Sequence, residues 1–231
     1  MSPVLVTGAT GLVGSLVVRG LAERGVAARP FARSAAVPGD FERPETIRAA
    51  LEGVDDVFLA TPNHPRQAEH EANVIDAAAA AGVRRIVKLS ASGAATGSPL
   101  AFWDAHGRSE EHLRASGLDA AILRPTCFMS HLPPGPATGA GVAAIDPADV
   151  AAVAVALLTE RWEPGVHELT GPEAVGFEPP PEAALAGLPD WVAGNLATLF
   201  ALLAGGVQRE TTGAVRTLTG REPRTLAAFR G

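Results

Sequence analysis

Tyrosine is absent from the 231-residue chain, and cysteine and lysine occur once each, as Cys127 and Lys88. Without a phenol, no side chain can play the proton-transferring role of a tyrosine. A single cysteine excludes an intrachain disulfide and leaves Cys127 as a small buried hydrophobe. Acidic residues outnumber basic ones 25 to 19, giving a net charge of −6. No basic run stands out, so a direct nucleic-acid partner is not expected. The apolar stretch Val4–Val6 is too short for a signal peptide or a membrane span. Together these absences predict a soluble, cytoplasmic protein with no membrane partner. The six histidines show no metal-ligand spacing, so no metal site is expected.

What is present begins with Val4-Leu5-Val6-Thr7-Gly8-Ala9-Thr10-Gly11-Leu12-Val13-Gly14. An apolar run of strand length meets three glycines spaced G-x-x-G-x-x-G. A helical pattern follows, with Leu12, Val13, Leu16, Val17 and Leu21 on one face. Strand, glycine turn and helix form the context in which such a motif binds a dinucleotide. Gly8 permits the turn, Gly11 lets backbone approach a pyrophosphate, and Gly14 lets the helix sit close to the strand. The N–H groups of the first helical turn, from Leu12 onward, then hold the phosphates.

With 47% hydrophobic residues the chain can build one substantial core plus an appended lobe. Strand candidates Pro3–Thr7, Ala27–Ala32, Asp56–Ala60, Arg84–Leu89 and Asp119–Leu123 alternate with helical segments 12–24, 44–52, 66–81 and 100–116. This alternation predicts an α/β, Rossmann-type, doubly wound parallel sheet. Residues 1–126 are read as the NAD(P)-binding domain, and residues 127–231 as a small, mostly helical substrate lobe. Within that lobe Asp146 is the expected N-cap of a helix through Leu158, with Pro147 at its first position. His167–Leu169 reads as a short edge strand, residues 189–219 as two helices, and the end as a tail. The ligand crevice should lie at the C-terminal strand ends: Thr7–Gly14, Ala32–Arg33, Ala60–His64, Ser90–Gly93 and Arg124–Met129.

The chain resembles the NmrA-like, atypical branch of the short-chain dehydrogenase/reductase superfamily. The resemblance rests on Thr7-Gly8-Ala9-Thr10-Gly11-Leu12-Val13-Gly14, Asn73-Val74-Ile75-Asp76-Ala77-Ala78 and Val87-Lys88-Leu89-Ser90-Ala91. It continues through Ser116-Gly117-Leu118, Ile122-Leu123-Arg124-Pro125, Ile145-Asp146-Pro147-Ala148-Asp149-Val150-Ala151 and Glu168-Leu169-Thr170-Gly171-Pro172. It implies NAD(P)H binding, and members include quinone and triphenylmethane-dye reductases as well as nucleotide-sensing regulators. Against that pattern the chain is several tens of residues short, near 34–40, 132–141 and 177–180. Many superfamily members use Tyr-x-x-x-Lys on the helix after the fifth strand. In that register Phe102 stands at the tyrosine position and His106 at the lysine position, so the usual carbonyl-reduction mechanism is unavailable.

His106 is the candidate acid–base or orienting group, its alternative being a helix-surface histidine. Lys88 lies in an apolar strand, where it must either reach solvent along its stem or pair at the crevice and help hold the cofactor. Ser90 is a candidate catalytic and cofactor-contacting hydroxyl and Ser92 a substrate contact, although strand-end serines also cap loops. Ala91, Thr61 and Pro62 border the expected nicotinamide site. At the end of the second strand no acid appears before Asp40, and Arg33 is the best-placed cation. An arginine there accommodates a 2′-phosphate, so NADP(H) is expected in preference to NAD(H). Phe102, Phe128 and Met129 could floor a flat, apolar pocket or simply pack the core. The resulting expectation is a reductase of conjugated, electron-poor acceptors such as quinones or dyes. The alternatives are an NADP(H)-sensing regulator with a protein partner, or an isomerase or cyclase on the same fold.

Overall fold

The computed structural model describes residues 2–33, 39–132, 141–179 and 181–231. Among them six parallel strands form the central sheet. These are β1 (Val4–Thr7), β2 (Ala28–Phe31), β3 (Asp56–Leu59), β4 (Arg85–Leu89), β5 (Asp119–Pro125) and β7 (Gly165–Leu169), in the order β2-β1-β3-β4-β5-β7. The order reverses between β1 and β3, which opens the crevice where α/β sheets bind ligands. A two-stranded antiparallel ribbon, β6 (Gly141–Val142) with β8 (Val175–Gly176), lies outside this sheet.

Side chains of a strand alternate between faces, and the two cores follow from that. Val4, Val6, Phe58, Val87 and Leu123 pack against α1 (Leu12–Glu23), α5 (Pro147–Thr159) and α7 (Ala214–Thr219). Leu5, Val57, Leu59, Ile86 and Ile122 pack against α2 (Pro44–Leu51), α3 (Gln67–Ala80) and α4 (Ala101–Ala115). Lys88 shares the face of Ile86, so its stem runs into the layer under α3 and α4. Helix α5 is apolar on every side because the sheet, α1 and α7 enclose it. A Cβ on Gly20 would meet Val155 Cγ2 at 3.0 Å, so α1 and α5 approach closely there.

The doubly wound sheet and its helices agree with the sequence reading to within a residue or two at most boundaries. Asp146 caps α5 as expected, accepting from the Ala148 N–H at 2.8 Å. The expected edge strand at His167–Leu169 is β7, which joins the main sheet beside β5. A division after residue 126 therefore falls between hydrogen-bonded neighbours. Helix α5 and β7 complete the sheet layers, and the lobe proper is built from the ribbon, α6 (Asp190–Ala204) and α8 (Leu226–Arg230). The predicted tail is thus corrected: Thr225 caps α8, and Leu226 packs into the lobe core with Met129, Val142, Phe177 and Leu203. The shortfalls expected near 34–40 and 132–141 fall largely outside the described residues, whereas 177–179 of the third lie within them.

Candidate cofactor site

The glycine turn fits the pyrophosphate cradle on three counts. Gly8 has φ +59°, a left-handed conformation that favours glycine, and a Cβ there would meet Ala60 O at 2.9 Å. A Cβ on Gly14 would lie 2.1 Å from Gly8 O, so only glycine lets α1 start against the end of β1. Gly11, the exposed N-cap residue, donates to Gly8 O at 2.9 Å. No side chain caps α1, and among the described residues the N–H groups of Leu12, Val13 and Gly14 have no backbone acceptor. They point, with the positive end of the helix dipole, to where a phosphate would sit. Thr10 and Leu12 are exposed on this rim, Leu12 to 48%. The motif therefore fits a dinucleotide.

At the end of β2, Arg33 is exposed. Arg29, in the same strand, is committed elsewhere, donating to Ala50 O at 2.8 Å and Glu52 O at 2.7 Å. Ser34, beside Arg33, lies outside the described residues.

Beneath the ends of β3 and β4 runs a buried polar chain. Lys88 is fully buried, with Nζ 2.7 Å from Glu71 Oε2, and Glu71 is fully buried too. The same Nζ donates to Leu89 O at 3.2 Å and lies 3.3 Å from His106 Nδ1. Gln67 Nε2 lies near both ring nitrogens, 3.4 Å from His106 Nδ1 and 3.3 Å from Nε2. Thr61 donates its hydroxyl proton to Glu71 Oε1 at 2.8 Å. Burial opposes the charge of Glu71, but Lys88 and the hydrogen bonds outweigh it and hold its pKa below the ordinary carboxylate value.

These contacts revise several expectations. Lys88 pairs rather than reaching solvent, but it pairs with Glu71 inside the protein and presents no surface to a cofactor. His106 is buried, not a helix-surface residue. Desolvation first, then the Lys88 charge, push its pKa down to about 4, so the ring is neutral at ordinary pH. Lysine can only donate, so Nδ1 is the nitrogen that accepts from Lys88 Nζ. An imidazole so held is a poor general acid near neutrality. Ser90 neither caps a loop nor offers a free hydroxyl, because it donates to buried Glu110 Oε1 at 2.6 Å. Arg124 grips the same carboxylate at 2.9 and 2.6 Å, and Arg114 joins it at 2.7 Å.

Among the apolar candidates, Met129 belongs to the lobe core and Phe128 packs against the main core. Phe102 is buried and meets Trp191 of α6 edge-on at 5.1 Å. Phe102 thus joins α4 to the lobe rather than lining an open floor. Thr61, Ala91 and Ser92 are half-buried and Pro62 is exposed at the strand ends, so these four remain at the crevice. The sequence reading missed Glu71, Glu110 and Gln208. Glu71 falls in the apolar stripe of Val74, Ile75 and Ala78, and a glutamate there needs a buried cation. The one lysine of an apolar strand was the matching signal.

A parallel sheet with a reversal point, a glycine turn against it and unpaired helix N–H groups define an NAD(P)-binding Rossmann protein. The chain belongs to the NAD(P)H-binding family, whose profile matches residues 8–161. It is 31% identical to the NAD(P)H azoreductase of Xenophilus azovorans over 98% of this chain and 96% of the relative. That alignment spans 274 positions against the 231 residues here, so the relative carries segments this chain lacks. It is 39% identical to a (4-alkanoyl-5-oxo-2,5-dihydrofuran-3-yl)methyl phosphate reductase of Streptomyces griseus, over 74% of this chain and 69% of that one. Its fold matches an NADPH-dependent quinone oxidoreductase of Escherichia coli solved with NADPH, with a TM-score of 0.82 at 26% identity over 97% of both chains. The chain is an NAD(P)H-dependent oxidoreductase of the atypical, NmrA-like type.

Proposed function

We propose that the protein transfers hydride from NADPH to a conjugated, electron-poor acceptor of the azo, quinone or triphenylmethane-dye kind. The observation that carries this reading is that, among the described residues, the candidate proton donors of the strand ends, Thr61, Ser90 and His106, are committed to the protein or neutral. There is no tyrosine in the chain. The hydroxyls of Thr61 and Ser90 donate to buried carboxylates, and His106 is neutral and enclosed. A simple ketone needs a proton delivered to its oxygen as hydride arrives. A conjugated acceptor spreads the incoming charge and takes its proton from water. The azoreductase and quinone oxidoreductase relatives support the same class of acceptor.

The bound nicotinamide supplies the hydride. The chain's own groups bind and orient it: the first turn of α1 holds the pyrophosphate, and Thr61 and Ala91 flank the strand ends. Arg33 meets the 2′-phosphate and so favours NADPH over NADH. The test is NADPH oxidation with azo dyes, quinones, triphenylmethane dyes and simple ketones as separate acceptors. Turnover with the conjugated acceptors and none with the ketones is expected. Tight NADPH binding with no turnover on any acceptor would instead identify a nucleotide sensor. Arg33→Ala should cost about 1.5–3 kcal/mol of NADPH affinity, as for a hydrogen bond to a charged group, and leave NADH unchanged. Equal losses for both cofactors would remove Arg33 from that role.

A further inference from the structure

The two hydroxyls at the ends of β3 and β4 share one arrangement. Thr61 gives its proton to Glu71, and Ser90 gives its proton to Glu110. Both carboxylates are fully buried. Each is paired with a cation, Glu71 with Lys88 at 2.7 Å and Glu110 with Arg124 at 2.6 Å. Both carboxyl groups are held below the ordinary carboxylate range, Glu71 chiefly by Lys88 and Glu110 chiefly by Arg124 acting against burial. An ionised carboxylate only accepts, so each hydroxyl must spend its single proton on the protein. What remains on Thr61 for the crevice is lone pairs alone. Water cannot easily reverse this, because the glutamates have no exposed surface.

Thr61 also stands at the right place. Ala60, its neighbour, lies against the glycine turn, since a Cβ on Gly8 would meet Ala60 O at 2.9 Å. A dinucleotide crosses the sheet at the reversal between β1 and β3, with its pyrophosphate on α1. Arg33 at β2 marks the adenosine side, so β3 and β4 face the nicotinamide-riboside half.

We propose that Thr61, locked as a hydrogen-bond acceptor by the Glu71–Lys88 pair, selects ligands that offer an N–H or O–H donor, namely the carboxamide or the ribose hydroxyls of the nicotinamide half. This rests on the nucleotide reading of the crevice. Glu71 and Lys88 are positioning residues that touch no ligand; Thr61 is the reader. A ligand group with lone pairs only, such as a quinone carbonyl, is turned away from this position and toward the lobe.

Fluorescence titration of NADPH into the parent protein, Thr61→Ser and Thr61→Val tests it, with the 3-acetylpyridine analogue of NADPH as a second ligand. That analogue replaces the carboxamide donor by a methyl ketone. Thr61→Val should weaken NADPH by about three- to tenfold, the range for one neutral hydrogen bond, and Thr61→Ser should restore it. If the carboxamide is the donor, the parent binds the analogue more weakly than NADPH and Thr61→Val binds the two alike. If a ribose hydroxyl is the donor, Thr61→Val weakens both ligands equally. Either pattern supports the acceptor role. Unchanged NADPH affinity in a folded Thr61→Val would overturn it, as would tighter binding of the analogue than of NADPH by the parent. Failure of the parent to bind NADPH at all would overturn the nucleotide reading instead.

Discussion

At the residue scale the glycine turn leaves least room for change. The 2.1 Å separation between a Gly14 Cβ and Gly8 O cannot be relieved by a side-chain rotation, because Gly8 O is backbone and a Cβ is fixed in place by its own backbone. Gly14→Ala should therefore push α1 off β1 and misalign the N–H groups of Leu12 and Val13. The expected result is loss of NADPH binding with a lowered thermal midpoint, measured by titration and by thermal unfolding. Native affinity in that variant would show the turn to be more pliable than its geometry implies. His106 gives a pH prediction. Its folded pKa, pushed down to about 4 by burial and by Lys88, lies below the unfolded value. Between those two values the unfolded chain binds the extra proton, so stability is full above pH ~6.5 and falls as the pH drops toward 4. The slope contributed is at most about 1.4 kcal/mol per pH unit. Glu71 and Glu110 act in the same direction only at lower pH, since both are held below the ordinary carboxylate value. Urea titrations from pH 7.5 downward should show this loss, and His106→Asn should flatten it between 6.5 and 4.5. An unflattened profile would assign the loss to other groups.

At the element scale, strands and helices follow from apolar periodicity and turn chemistry, which is why β1, α1, α5 and its Asp146 cap were legible residue by residue. What was not legible is pairing between elements. Lys88 in β4 could have pointed to solvent, because the period of a strand tells which face a side chain takes but not what covers that face. Its partner Glu71 lies on α3, 17 positions away in sequence, and only the packing of α3 against the sheet brings them together. The same holds for Ser90 and Glu110: each residue type was visible, and the pair was not. This buried pair has a measurable signature. Lys88→Met leaves an ionised carboxylate inside a dry layer, and breaking a buried pair this way costs about 3–5 kcal/mol. Replacing both partners, as Lys88→Met with Glu71→Leu, should cost less than the single change, because no charge is left unpaired. Denaturant midpoints of the parent, single and double variants measure it. A single-variant loss under about 1 kcal/mol would mean that Glu71 takes up a proton at little cost.

At the scale of the whole molecule, Gln208 gathers several of the hydrogen bonds between the sheet's loops and the segment after α6. Its side-chain oxygen accepts from the Cys127 N–H at 2.8 Å, and its Nε2 donates to Ser92 O at 2.8 Å. Its backbone oxygen accepts from Ala143 N at 2.8 Å. A single side chain and its carbonyl, four positions past the end of α6, thus tie the loop beyond β4, the loop beyond β5 and the segment leading into α5. It does so with φ +67°, the one positive φ outside glycine among the described residues. A non-glycine residue in that region costs about 1–2 kcal/mol, and glycine there would lose both side-chain bonds. Two substitutions separate these effects. Gln208→Ala forfeits the side-chain bonds and keeps the strained backbone, whereas Gln208→Gly forfeits the same bonds and relieves the strain. Both should be less stable than the parent in denaturant unfolding, with Gln208→Gly recovering about 1 kcal/mol relative to Gln208→Ala. On the proposed function, in which Ser92 contacts the substrate, both should also raise the KM for a dye acceptor, because the Ser92 and Cys127 loops lose their common tether. The NADPH affinity set by the glycine turn should stay constant. Equal stability of the alanine and glycine variants would show that the left-handed backbone carries no cost here. An unchanged acceptor KM would confine Gln208 to holding the lobe in place.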